Sequence, residues 1–153
     1  MGEFDDCLKR RGLMRFSAGP DAAQRELDAA RLDIADAAIM LDNSQWRRLT
    51  ITAYYAMFHA ARALILRSGY TEKSHFCLGV AFRELYGGYP EGSELAMALE
   101  RARVLRENAD YRSEFDEAGA KASLVLARRF VAFAEAHLAG EGSAHGQHEP
   151  PLQ

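Results

Sequence analysis

The chain predicts an all-α fold, an up-and-down antiparallel bundle of about five helices, and three observations predict it. The four prolines, Pro20, Pro90, Pro150 and Pro151, stand only at the edges of longer segments. Between them the chain is rich in Ala, Leu, Arg and Glu, which are strong helix formers. No strand-like alternation of apolar and polar residues persists. The 153 residues suit one domain. With 48% apolar and 27% charged residues, the balance is that of a globular protein. A wholly disordered chain, a collagen-like repeat and a disulfide miniprotein are excluded.

Glu3 to Met14 holds one or two helical turns. The first long helix runs from about Asp21, placed to cap it, to Leu41, with Leu27, Ala30, Ile34, Ala37 and Leu41 on one face. The second runs from about Ser44 to Arg67. Trp46, Leu49, Ala53, Met57, Ala60 and Leu64 line one face, and Ile51, Tyr55, Phe58 and Ile65 another. A helix apolar nearly all round belongs at the centre of a bundle; Gly69 ends it. The third, about Glu72 to Tyr86, follows Thr71 as cap and stops at Gly87-Gly88. The fourth, about Ser93 to Asp110, buries Leu95, Leu99, Ala102, Leu105 and Ala109. Asp116 caps the fifth, which reaches about Ala139 and buries Leu124, Ala127, Val131, Ala134 and Leu138. Short connections make neighbours antiparallel. Residues 1–140 thus form the bundle. Residues 141–153, without a periodic face, read as a disordered tail whose His145 and His148 are solvated rather than metal-bound.

The net charge of −3 gives no strong basic field for nucleic acid, although a local cluster can still bind a phosphate. Cys7 and Cys77 read as two reduced thiols, neither a zinc set nor a disulfide framework. The charged opening MGEFDDCLKRRG is no secretory signal. The longest apolar run, Thr50 to Leu66, is interrupted by His59 and Arg62 and falls short of a membrane span. A cytoplasmic protein is expected, without a membrane, a metal or a cofactor.

Four features carry chemistry. On the second helix Tyr55, His59 and Arg62 lie at steps of four and three and share a face. They serve either as a structural hydrogen-bond network, with Arg62 paired to an acid, or as a cleft wall that holds a nucleotide or phosphate. Lys73, Ser74 and His75 open the third helix, where free N–H groups and the positive helix end favour an anion; Ser74 alternatively acts only as a cap. Arg106, Asp110 and Tyr111 converge at the end of the fourth helix. They form either an exposed i, i+4 pair or a phosphate-handling group. Lys9, Arg10, Arg11 and Arg15 form a short basic run, read as a solvated face or as part of an RNA- or partner-binding surface.

The segments Ala53-Tyr54-Tyr55-Ala56-Met57-Phe58-His59-Ala60-Ala61-Arg62, Gly69 with Lys73-Ser74-His75, and Arg106-Glu107-Asn108-Ala109-Asp110-Tyr111 resemble the HEPN (higher eukaryotes and prokaryotes nucleotide-binding) family. The opening Cys7 to Leu13 and Arg15-Phe16 are similar to its small stand-alone prokaryotic branch. The resemblance spans roughly residues 4–138. It implies a helical bundle, usually a homodimer, and in many members a metal-independent ribonuclease toxin paired with a minimal nucleotidyltransferase antitoxin. The family's motif is Arg, four to six residues, then His. Its Arg steadies the scissile phosphate and its His transfers protons. Arg106 matches the Arg, but Tyr111, Arg112 and Ser113 occupy the three candidate His positions. A phenol with a pKa of about 10 is a poor base where an imidazole of about 6.5 is well matched. His75 or His59 is then the candidate to supply the imidazole from another helix. The resemblance also implies that a motif tyrosine receives nucleotidyl groups, for which Tyr111 is the one candidate. The resulting expectation is the toxin-like half of such a pair, RNA-cleaving or degenerate; the alternative is a non-catalytic nucleotide-binding or nucleotidyltransferase-docking module. Trp46, Tyr54 and Phe58 are the aromatic residues available for a dimer interface.

Overall fold

A computed structural model describes residues 2–140. The expected tail 141–153, with His145 and His148, lies outside them. Six helices and two short strands follow in the order α1 (Glu3–Lys9), β1 (Leu13–Arg15), α2 (Ala22–Asp42), α3 (Trp46–Arg67), β2 (Tyr70–Glu72), α4 (His75–Tyr86), α5 (Gly92–Tyr111) and α6 (Glu117–Gly140). The helical bundle is as the periodicity predicts, and the five expected long helices correspond to α2–α6.

The α3 helix is the axis. Leu49, Ala53, Ala56, Met57, Ala60, Ala61, Ala63, Leu64 and Ile65 are fully buried, because α2, α4, α5 and α6 all pack on it. Contrary to the sequence reading, α3 is long and apolar enough to cross a membrane, yet 67% of that stretch is buried within the fold. Burial on all sides is what a core helix needs, so its apolar character is accounted for by packing. Tyr54 and Phe58, expected at a dimer interface, are used inside the protomer at 1% and 8% exposure.

The N-terminal segment departs most from expectation. After α1, Arg11 takes a positive φ of 63° and the chain reverses into β1. This strand pairs antiparallel with β2 in the register Leu13↔Glu72, Met14↔Thr71 and Arg15↔Tyr70. Three residues are too few for alternation to show in a sequence. Because 70–72 is a strand, α4 starts at His75, and Ser74 rather than Thr71 caps it: its Oγ accepts the Cys77 N–H at 3.0 Å. Asp116 caps α6 by accepting the Gly119 N–H at 2.6 Å. Asp21 makes no such bond.

Cys7 and Cys77 form a disulfide, which corrects the reading of two free thiols. The β1–β2 pairing brings α1 beside the first turn of α4 and sets the two Cα atoms 5.8 Å apart, within bonding geometry. Linear separation hid that proximity. Gly12 permits it, since a Cβ there would lie 2.7 Å from Cys77 Sγ. With the pairing, the cysteines no longer argue for a reducing compartment.

Candidate phosphate-binding site

The site is built on the last turns of α5. Its buried stripe is Leu95, Leu99, Ala102, Arg106 and Ala109, a run of steps of four and three that places an arginine where the core expects an aliphatic residue. Arg106 is 8% exposed, whereas Leu105, the expected core residue, is only half-buried. Its guanidinium Cζ lies 5.4 Å from the Tyr54 ring centroid, 5.7 Å from Tyr55 and 6.0 Å from Tyr111. Three π faces therefore hold the cation. Its nearest carboxylate oxygen is Asp110 Oδ2 at 3.8 Å, an ion pair too long for a hydrogen bond. Nε is buried and bonds to nothing among the described residues.

Asp110 is shared. Its Oδ1 lies 3.3 Å from Arg47 Nη2, and Arg47 Nε also donates to the Ala109 carbonyl at 2.9 Å. Arg47 thus caps the negative end of α5 and fixes the carboxylate beside Arg106. Tyr111, the last residue of α5, is 75% exposed.

His75 joins this group through Tyr54. The imidazole stacks on Phe58 with centroids 4.6 Å apart and on Tyr54 at 5.7 Å. Its Nδ1 lies 2.6 Å from the Tyr54 hydroxyl. Burial, then the Arg106 and Arg103 charges, hold the His75 pKa below its ordinary value, against an opposing pull from Glu107. His75 is therefore neutral at pH 7. Burial is also the chief cause that raises the Tyr54 hydroxyl's pKa, so it stays protonated.

The structure thus brings together Arg106, Asp110, Tyr111, Tyr55 and His75. His59 and Arg62 lie on a neighbouring network instead. His59 Nδ1 is 2.7 Å from Glu26 Oε1. Arg62 sits 3.8 Å from Glu26 Oε2 and 3.5 Å from Glu72 Oε2. The His59 hydrogen bond holds the Glu26 carboxyl below its ordinary pKa, whereas burial raises Asp33 and Glu72. This network ties α2 to α3 and β2. The two networks touch at Phe58, over which Arg62 lies at 6.0 Å. Ser74 is committed to its cap, and the exposed Lys73 donates its backbone N–H to Gly12 at 2.8 Å. In the basic run, Arg15 lies against Tyr70 with its Cζ 5.6 Å from the ring centroid. Sequence reasoning missed Arg47 and the hydroxyl of Tyr54. The four–three stripe through residue 106 was the available signal for a buried arginine, but Arg47 carried none, because its partners lie 62 and 63 positions away.

The sequence profile of the family described as HEPN domain matches residues 23–137. An Archaeoglobus fulgidus UPF0332 protein is 32% identical over 91 residues, which cover 60% of this chain and 73% of that protein. A Pyrococcus horikoshii UPF0332 protein is 32% identical over 56 residues, 37% of this chain and 39% of that protein.

Proposed function

Because this chain belongs to the HEPN domain family, we propose that it is the toxin-like half of a HEPN/nucleotidyltransferase toxin–antitoxin pair, which holds an RNA phosphate on Arg106. The observation that carries this reading is the buried guanidinium of Arg106, held by three tyrosines with an Nε that has no acceptor. A desolvated cation with unmet donors is costly, and an anionic oxygen relieves that cost. Guanidinium geometry suits two phosphate oxygens, and the half-buried Tyr55 and the exposed Tyr111 offer stacking surface to a base.

Cleavage in this reading follows the family scheme: Arg106 steadies the scissile phosphate, the ribose 2′-oxygen bonds to phosphorus and gives its proton to water, and the P–O5′ bond breaks as the 5′-oxygen takes a proton from solvent or from doubly protonated His75, leaving a 2′,3′-cyclic phosphate and a 5′-hydroxyl. His75 is the imidazole near enough to share the site. The protein acts as a homodimer in the cytoplasm, and its partner nucleotidyltransferase modifies Tyr111, whose exposed phenol is open to an enzyme.

The test is binding of a fluorescent single-stranded oligoribonucleotide, with cleavage followed in EDTA. Arg106→Ala is expected to weaken binding about ten- to hundredfold and to abolish any cleavage. Unchanged binding would reject the site. A second reading, a degenerate module that binds nucleotide or docks the nucleotidyltransferase without cutting, is favoured by Tyr111 standing where the motif His belongs. Binding with no metal-free cleavage selects it.

A further inference from the structure

The Tyr54 hydroxyl is almost wholly inside the protein, since the residue is 1% exposed. A buried O–H must give its hydrogen to an acceptor. Among the described residues the atom within reach is His75 Nδ1, at 2.6 Å. A ring nitrogen that accepts carries no hydrogen, so in the neutral imidazole the hydrogen sits on Nε2.

The ring is also held in place. Phe58 and Tyr54 stack on it, and Tyr55 meets it edge-on at 6.3 Å. Nε2 has no hydrogen-bond partner among the described residues, yet it is not one of the buried unpartnered atoms. Solvent, or a ligand, therefore reaches it.

We propose that Tyr54 is a positioning residue for His75: its hydroxyl donates to Nδ1, keeps the hydrogen on Nε2, and makes His75 a hydrogen-bond donor beside Arg106. This rests on the reading of Arg106 as a phosphate site for its purpose, though not for its geometry. The consequence is chemical. A base at this position needs a free lone pair facing the ligand, and both nitrogens are spoken for, Nδ1 by Tyr54 and Nε2 by its own hydrogen. The resting site offers two kinds of donor, guanidinium and imidazole N–H, to an anionic ligand. It can protonate a leaving oxygen only after His75 has taken up a second proton. The charged groups that bear on that uptake are Arg106 and Arg103, which oppose it, and Glu107, which favours it, all from α5. The residues packed on the ring from α3 are Tyr54, Tyr55 and Phe58.

The experiment is heteronuclear NMR of the full chain with ¹⁵N-labelled histidine, ligand-free, across a pH titration. The His75 signals are assigned by their loss in His75→Gln. The wild type is expected to show Nε2 protonated and Nδ1 bare at pH 8. Tyr54→Phe keeps the ring under Arg106 and removes only the hydroxyl. It is expected to shift the population toward mixed tautomers and to raise the His75 pKa by up to about one pH unit, because the bond that favours the neutral ring is gone. An Nδ1-protonated wild type overturns the proposal, as does a Tyr54→Phe variant with the same tautomer and pKa. The wild-type spectrum alone decides if that variant does not fold. The signature is read without RNA, so it stands or falls separately from the binding assay on Arg106→Ala.

Discussion

A guanidinium Nε–H is expensive to hide from water, and that of Arg106 is buried without an acceptor among the described residues. Cation–π contacts with three tyrosines return part of that cost, but a well-packed aliphatic side chain in the same stripe would return more. Arg106→Leu is therefore expected to leave the fold at least as stable as the wild type, with a gain of up to about 2 kcal/mol in urea unfolding, while RNA binding is lost. Marked destabilisation by that substitution would show the arginine to be a structural part of the core. The same residue shows what can be read from a sequence. Steps of four and three from Leu95 through Ala109 pass through 106, so its burial was legible. The assumption that a core position is aliphatic led instead to Leu105. Tyr54 was legible as an aromatic of the central helix, but its bond to His75 spans 21 positions, and no local pattern encodes that.

Among the elements, the capping residues separate cleanly. Asp116 accepts a backbone N–H at the start of α6 and Asp21 accepts none at the start of α2. Asp116→Ala is expected to cost about 1 kcal/mol, and Asp21→Ala to stay within about 0.5 kcal/mol of the wild type, both measured by thermal or urea unfolding. A proline before Asp21 looks like a helix start, yet Asp21 itself takes a helical conformation there, with φ −92° and ψ −6°, whereas a capping side chain needs an extended backbone. The Cys7–Cys77 bond joins elements 70 residues apart in the chain. By loop-closure entropy, its reduction with a dithiol is expected to lower stability by about 4 kcal/mol. Unfolding midpoints with and without reductant check this; equal midpoints would mean that β1–β2 pairing alone holds α1. Helix ends predicted from caps and glycines fell within a few residues of those observed, except at α4, where a three-residue strand took the place of the first turn.

For the whole molecule, the axis α3 explains why one chain can serve both fold and site. Its inward faces supply the core. Tyr54, Tyr55 and Phe58 lie between α4 and α5: His75 packs on all three rings, and the Arg106 guanidinium lies over the two tyrosines. Two grooves border α5. One of about 410 Å³ is lined by Phe76, Val80, Arg83 and Met97, and one of about 470 Å³ by Thr50, Asn108, Phe115 and Gly119. The Arg106 guanidinium is ringed by aromatic faces, which suits a nucleic-acid strand whose bases can stack on them. An overall charge of −3 leaves affinity to such local contacts, so the contribution of each should be visible in the salt dependence. The most direct measurement is the slope of log K against log salt for a single-stranded oligoribonucleotide, wild type against Arg106→Gln. If Arg106 neutralises one phosphate, the variant binds more weakly and its slope is shallower by about 0.7. If affinity and slope are both unchanged, Arg106 does not touch the RNA.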